Sequence, residues 1–362
     1  MTSLNTHHHY SVLIAPLDWG LGHATRCIPL ITYLLENNCH VCVAGEGQQI
    51  ELIKKEFPQL KFIPLRGYRI HYPKKGTFFL TKLISQLPGI INSIVREHKW
   101  LRRNLQKYKW DLVISDNRYG LYTPDITSIF ITHQPRIMTG LGKRMDGIAA
   151  RILKHRIEQF EQCWIPDEMG ASGIAGKLVN SKSLPRNCKF IGPLSRLKKS
   201  QEPTNENILV LLSGPEPQRS ILEELLIKQL KGCAEKILFV RGLPLSKNSL
   251  ESIQNINFKN HLDNNELSRC MSTAKMVICR SGYSTIMDLL KLNKKALLIP
   301  TPGQTEQIYL AERLSKIGWF TTQQQEELNV NEGISNTLNL SISLPMLDFE
   351  GYKQAFRELG IQ

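Results

Sequence analysis

Four short segments of the sequence set glycines, hydroxyls, amides and titratable groups at the ends of apolar runs. The first is Gly20-Leu21-Gly22-His23-Ala24-Thr25-Arg26. Glycines let a backbone turn sharply and approach a ligand closely. The amides at a following helix start attract anions, and a histidine there can act as a general base near neutral pH. The spacing is not Gly-x-Gly-x-x-Gly, because Thr25 and Arg26 stand where a third glycine would fall. A purely structural turn with a helix-capping histidine is the competing account. In the second segment, Leu212–Arg219, Ser213 and the amide of Gly214 are suited to phosphate and Arg219 adds charge, but two prolines remove N–H donors.

The third segment runs from Cys279 through Arg280, Ser281 and Gly282 to Asp288. A strand ends, the chain turns at Gly282, and a helix begins near Ser284 with its start facing a diphosphate. Asp288 lies about one turn along, placed to accept bonds from ribose hydroxyls or, more plainly, to be a solvated or capping carboxylate. The fourth, Pro300–Gln307, offers amides and a carboxylate suited to sugar hydroxyls, with Gly and Pro shaping the turn. A polar turn without a ligand is its alternative.

These segments need strands to hold them. Ser11–Pro16, His40–Ala44, Lys61–Leu65, Asp111–Ser115, Ser128–Thr132, Cys163–Pro166 and Lys189–Gly192 read as strands between helical stretches, the first helix spanning Thr25–Glu36. The pattern restarts at Ile208–Leu212 and continues with a helix from about Gln218 and strands at Lys236–Val240, Ile256–Lys259, Met276–Cys279 and Ala296–Ile299. Short, nearly continuous apolar runs are what parallel strands buried on both faces look like. The expectation is an α/β protein of two doubly wound domains facing each other, with ligands beyond the carboxyl ends of the strands. Pro193–Asn207, rich in Lys, Ser, Pro and Asn, reads as the linker. The divisions expected are residues 1–195, 196–345 and a C-terminal helical segment, 346–362.

The chain of 362 residues carries 46 Lys and Arg against 32 Asp and Glu, a net +14. Between Arg66 and Lys109 the one acidic residue is Glu97, and this stretch holds eleven bases including Lys74, Lys75 and Lys82. Such a field attracts nucleic acid, anionic lipid or a phosphorylated substrate. Leu80, Leu83, Ile84, Leu87, Ile90, Ile91, Ile94 and Val95 recur at helical spacing, with Pro88 expected to interrupt the helix. This face either packs on the first sheet or meets an anionic membrane beside the basic patch. No run of 18 apolar residues occurs. Met1–His9 reads as a solvated tail, and its adjacent histidines make a poor closed metal site. Eight scattered cysteines without a Cys-x-x-Cys pair point to reduced thiols and a cytoplasmic setting.

Arg280-Ser281-Gly282 through Asp288, followed by Pro300–Gln307, resembles the donor site of the glycosyltransferase family 28 C-terminal domain. The family includes transferases that add N-acetylglucosamine to lipid-linked acceptors, and the segment is also similar to diacylglycerol glucosyltransferases. Gly20-Leu21-Gly22-His23 resembles their acceptor-side loop. The resemblance implies the GT-B fold: two facing Rossmann-like domains, an interdomain cleft, and a C-terminal helix crossing back, here Tyr352–Leu359. It further implies a UDP-sugar co-substrate with no other cofactor, inversion by direct displacement, and a lipid-linked or saccharide acceptor at the cytoplasmic membrane face. By position, Gly22, Ser213, Gly214, Arg219, Arg280, Ser281, Gly282, Asp288, Gln304 and Gln307 are expected at the nucleotide-sugar. His23 is expected as base and Asp116, at the end of its strand, as its orienting carboxylate or as a simple loop cap, with His133 a second candidate base. Asp288 stands where the family usually has Glu, and the Ser213 loop is poorer in glycine than the family pattern. No Asp-x-Asp occurs, so no metal is expected between the phosphates.

Two other functions compete. Gly-x-Gly-His-x-x-Arg, from Gly20 to Arg26, also looks like the N-terminal loop of nucleotide-sugar hydrolases, which use water as acceptor. The charge alone would suit a non-catalytic polyanion binder, although no specific nucleic-acid motif is present.

Overall fold

The computed structural model describes residues 9–69, 79–136, 142–170, 173–179, 184–205, 207–248 and 250–362; for 79–84 and 143 only the backbone is described. Met1–His8, Lys74 and Lys75 lie outside the described residues, as do the side chains of Leu80, Lys82, Leu83 and Ile84.

The first half folds as β1 (Ser11–Pro16), α1 (Leu21–Glu36), β2 (His40–Gly45), α2 (Gln48–Glu56), β3 (Lys61–Pro64), α3 (Phe79–Tyr108), β4 (Leu112–Asp116), β5 (Thr127–Ile131), α4 (Lys143–Ile157), β6 (Gln162–Ile165) and β7 (Cys188–Phe190). All its strand pairs are parallel, in the order β3-β2-β1-β4-β5-β6-β7. The second half comprises β8 (Ile208–Leu211), α5 (Gln218–Leu230), β9 (Ile237–Val240), β10 (Ile256–Lys259), α6 (Asn264–Thr273), β11 (Met276–Cys279), α7 (Tyr283–Lys291), β12 (Ala296–Leu298), α8 (Thr305–Lys316), β13 (Thr321–Thr322) and α9 (Val330–Asn339). Its sheet, also parallel, runs β10-β9-β8-β11-β12-β13. Both orders reverse beside the first strand of the sheet, between β1 and β4 and between β8 and β11. Crevices at such reversals are where open α/β sheets take ligands.

Burial explains the strands. Val12, Leu13, Ile14 and Ala15 of β1 and Met276, Val277 and Ile278 of β11 are wholly inaccessible, covered by helices on both faces as parallel sheets require. The last helix, α10 (Gly351–Arg357), follows the second sheet yet packs on the first half. Phe356 stacks on Tyr33 of α1, with ring centroids 5.4 Å apart, and meets Trp164 of β6 edge-on at 4.9 Å. Tyr10 donates to the carbonyl of Leu359 at 2.9 Å.

Two local features depart from expectation. Helix α1 starts at Leu21, four residues early, because Gly20 turns the chain with φ +84°, a conformation open to glycine. His23 and Arg26 therefore lie three residues apart on one helix face. Helix α3 runs unbroken through Pro88; Pro88 is exposed, so water can take the hydrogen bond that the proline removes. The eight cysteines are free thiols, and among the described residues no helix is long and apolar enough to cross a membrane.

Candidate active site

At the β1/β4 crevice, Asp116 ends β4 fully buried, and three groups converge on it or its neighbours. Arg26 Nε donates to Asp116 Oδ2 at 2.8 Å, and Arg26 Nη2 pairs with Oδ1. His23 Nδ1 lies 3.2 Å from Oδ2. Arg26 Nη1 reaches His133 Nδ1, just beyond β5, at 2.8 Å. Burial alone would push the Asp116 carboxyl up, but the charges of Arg26 and His23 outweigh it and hold the group down at about 2. Burial lowers His23 below the ordinary histidine range, Asp116 opposes that, and Arg26 adds to it. His23 is thus a neutral imidazole at physiological pH with a carboxylate beside Nδ1.

A guanidinium only donates. The contact from Arg26 therefore makes His133 Nδ1 an acceptor and puts the ring proton on Nε2. Nε2 then donates to Glu306 Oε1, 2.7 Å away in the second half. With both nitrogens committed, His133 is not available as a base, which leaves His23 of the two candidates.

The second half faces this cluster with the ends of β11 and β12. Gly282 caps α7 without a side-chain hydrogen bond, so the first amides of that helix remain for an anion. Tyr283 stacks on His133 with centroids 4.2 Å apart and donates to the carbonyl of Pro166 at 2.9 Å. Ser284 Oγ donates to the carbonyl of Gly22 at 3.1 Å. A Cβ on Gly22 would come within 2.8 Å of that hydroxyl. The bareness of Gly22 therefore serves the approach of the other half as well as any ligand.

The remaining expected donor residues divide. Ser213 is partly exposed and Gly214 is exposed with φ +103°, both at the mouth of the β8/β11 crevice. Ser281 Oγ donates to the Gln307 carbonyl at 2.8 Å, and Gln307 Oε1 accepts from the Thr301 amide at 2.9 Å; these contacts hold the fourth segment against the third. Gln304 caps α8 without a side-chain bond to it. Asp288 accepts from Ser195 Oγ at 2.5 Å, and burial raises its carboxyl to about 6 against the pull of Ser195 and Arg196.

Two of the arginines expected at the phosphates are committed elsewhere. Arg280 is buried at 1 % exposure, bonded to the carbonyls of Ile299, Pro300 and Gln218 and to Gln325 Oε1, and burial lowers it to about 9. It ties the strand ends together and does not reach the cleft. Arg219 is spent on Glu216, Glu223, Ser220 and the Arg241 carbonyl. Neither is a phosphate ligand in this arrangement.

Other residues of the site carry no sequence signal of their role. Arg26 and Glu306 belong to the first and fourth segments, but their partners lie 90 and 173 residues away. Arg196 and His261, with Glu56, Asp263 and Asn264, line a cavity of about 170 Å³ between α2 and loops of the second half. Arg196 Nε has no partner there among the described residues, and its charge reaches Asp288.

Residues 219–351 match the model of the glycosyltransferase family 28 C-terminal domain. They are such a domain, and the chain is a glycosyltransferase. It is 22% identical over 331 residues, covering 86% of this chain and 84% of the relative, to a UDP-N-acetylglucosamine–N-acetylmuramyl-(pentapeptide) pyrophosphoryl-undecaprenol N-acetylglucosamine transferase of Histophilus somni (strain 129Pt). An enzyme of the same description (numbered 2) from Bacillus cereus (strain ATCC 14579) is 26% identical, covering 93% of this chain and 92% of its own. A spinosyn rhamnosyltransferase solved with thymidine diphosphate superposes with a TM-score of 0.62 at 14% identity, over 96% of this chain and 95% of its own. That likeness is one of fold, and the fold is GT-B.

Proposed function

We propose that this glycosyltransferase moves a sugar, N-acetylglucosamine in the first instance, from a UDP-linked donor to a hydroxyl of a lipid-linked saccharide, with inversion and without a metal. One observation carries this reading: the His23–Asp116 pair of the first half stands across the cleft from the uncapped start of α7 in the second, joined by the Ser284–Gly22 bond. A base and an anion-binding helix start on opposite walls are what displacement at an anomeric carbon between them requires.

In this scheme the acceptor O–H gives its proton to His23 Nε2, and the oxygen's electrons form the new bond to the anomeric carbon. The diphosphate leaves with the electrons of the old one. Its charge meets the α7 amides near Gly282 and the Ser213–Gly214 turn, and Asp116 steadies the imidazolium. Asp288 takes the ribose hydroxyls, the cavity beside Arg196 and His261 takes the base, and Gln304 and Gln307 take the sugar.

The acceptor side fits a membrane-borne substrate. Leu87, Ile91 and Val95 project into solvent along α3, 46–57 % exposed, and Lys99, Arg102 and Arg103 continue the exposed surface. Glu97 is turned inward onto Arg118, Tyr68 and the Gly120 amide. The outer face is left apolar and cationic, which suits anionic lipid.

The test is UDP release from UDP-N-acetylglucosamine with and without a polyprenyl-diphosphate saccharide, each with and without EDTA. Release that needs the acceptor, ignores EDTA and yields the opposite anomer is expected. In the same assay His23→Ala should lose turnover by about 10²–10⁴-fold while retaining donor binding. Fast stoichiometric hydrolysis without acceptor would instead support the hydrolase reading.

A further inference from the structure

His23 Nδ1 has two suitors that ask opposite things of it. Asp116 Oδ2, at 3.2 Å, only accepts and needs a proton on Nδ1. Arg26 Nη2, at 2.8 Å, only donates and needs the lone pair there. A neutral ring cannot satisfy both. With Nδ1–H turned to Asp116, Nε2 carries a lone pair and can take a proton from an acceptor. With Arg26 donating to Nδ1, the ring proton sits on Nε2 and the base is idle. The shorter contact is the one from Arg26.

Arg26 is itself held from the far side. Its Nη1 donates to His133 Nδ1, and His133 Nε2 donates to Glu306 in the first turn of α8. Glu306 lies between Gln304 and Gln307, in the segment assigned above to the donor sugar. The groups facing His23 are Asp116 from β4, Arg26 on its own helix, and His133 after β5. Cys27 stands behind Asp116, and Glu306 one step further on.

We propose that Arg26 is a positioning residue that decides which nitrogen of His23 bears the proton, and that Glu306, acting through His133, holds Arg26 where the base stays idle. Switching it on moves one proton from Nε2 to Nδ1 and lets Arg26 Nη2 rest wholly on Asp116 Oδ1, with which it is already paired. Apart from the two ring N–H bonds no covalent bond changes; the Arg26–His23 contact opens and the hold of Glu306 through His133 relaxes. The device keeps water in the cleft from being activated while the donor loop is at rest. It deepens the reading of His23 as base and rests on it.

The decisive measurement does not need turnover. Long-range ¹⁵N–¹H correlation spectra of the full chain labelled in histidine, at roughly pH 8 so that ordinary histidines are neutral, distinguish protonated from bare ring nitrogens. His23→Gln and His133→Gln spectra supply the assignments. Both rings are expected as the Nε2–H form in the wild type. In Arg26→Gln and in Glu306→Ala, His23 should pass to the Nδ1–H form. Acceptor-free UDP release should then rise by about 10²-fold, the low end of general-base effects. The pH profile of turnover should change too: with the Arg26 cation gone, the acid limb moves to higher pH. If Arg26→Gln does not fold, Glu306→Ala decides. A wild-type His23 already in the Nδ1–H form overturns the proposal, as does an unchanged tautomer in the folded variants. If instead the tautomers behave as proposed while no sugar is transferred or hydrolysed, the gate stands and the assigned reaction falls.

Discussion

Gly22 and Ser284 touch across the cleft: the serine hydroxyl donates to the glycine carbonyl at 3.1 Å, and a Cβ on Gly22 would sit 2.8 Å from it. The contact joins the first turn of α1 to the first turn of α7, the two helix starts that border the site. An alanine at 22 must push Ser284 aside, an overpacking cost of about 1–3 kcal/mol. Gly22→Ala should therefore lower turnover more than it lowers the unfolding midpoint. Adding Ser284→Gly should restore part of the loss, because it removes the atom struck. A double-mutant cycle on kcat/KM measures this; additive losses would show that the two residues do not meet during the reaction.

Asp116 anchors the first wall. Its buried carboxylate is held at about 2 in the fold against 3.8 in the unfolded chain. Because the folded value is the lower one, the ion pair stabilises fully above about pH 4, and that stabilisation is lost as pH falls toward 2. Asp116→Asn leaves Arg26 buried without its counter-charge, a loss of about 3–5 kcal/mol for a broken buried pair. Urea unfolding of wild type and variant from pH 7 to pH 3 should show a constant gap that begins to close only below pH 4.

Those two walls were unequally legible in the sequence. β1, β8 and β11 could be read because strands buried on both faces are nearly continuous apolar runs, and their alternation with helices pointed to doubly wound domains. The two-residue strand β13, Thr321–Thr322, carries no such pattern. Arg280 and Arg219 looked like phosphate ligands because an arginine beside a glycine turn has that chemistry. Their true partners, Gln325 for one and Glu223 for the other, are far away or a helix turn on, and sequence gives no sign of which way a guanidinium points. The Glu306 carboxylate suits a sugar hydroxyl by its type and turn, but its bond to His133 spans 173 residues and belongs to the docking of the halves.

The exposed stripe on α3 makes a separate claim. Leu87, Ile91 and Val95 are about half exposed and join no core cluster among the described residues, so replacing all three with Asp should change the stability by no more than about 0.5 kcal/mol per site. Binding to vesicles containing anionic lipid should fall sharply, since both the apolar insertion and the net positive field are reduced. Co-sedimentation at two salt concentrations separates the two contributions: the wild type should weaken with salt without being abolished. Unchanged sedimentation of the triple variant would place the membrane contact elsewhere.

The ribose role proposed for Asp288 would link donor binding to pH. Its folded value, about 6, lies above the unfolded 3.8. Burial thus favours the protonated form, and the free protein loses stability as pH rises from about 4 through 6. Ribose hydroxyls donate to a carboxylate, so a donor bound there prefers the ionised form and must expel a proton below pH 6. The Kd for a UDP-sugar, whose diphosphate diester does not titrate in this range, should be flat from pH 8 to 6.5 and then rise toward tenfold per unit. Asp288→Asn should bind more weakly at pH 7.5 and show no such rise, and its stability should lack the decline that Asp288 causes between about pH 4 and 6. Ser195→Ala is the companion: it removes the hydroxyl that occupies the carboxylate at 2.5 Å in the free protein. The rise in Kd should then begin at a higher pH, since the group that lowered the carboxyl is gone. Titration calorimetry across these three proteins settles the role. A wild-type Kd independent of pH between 5 and 8 would mean that the ribose is held by other groups.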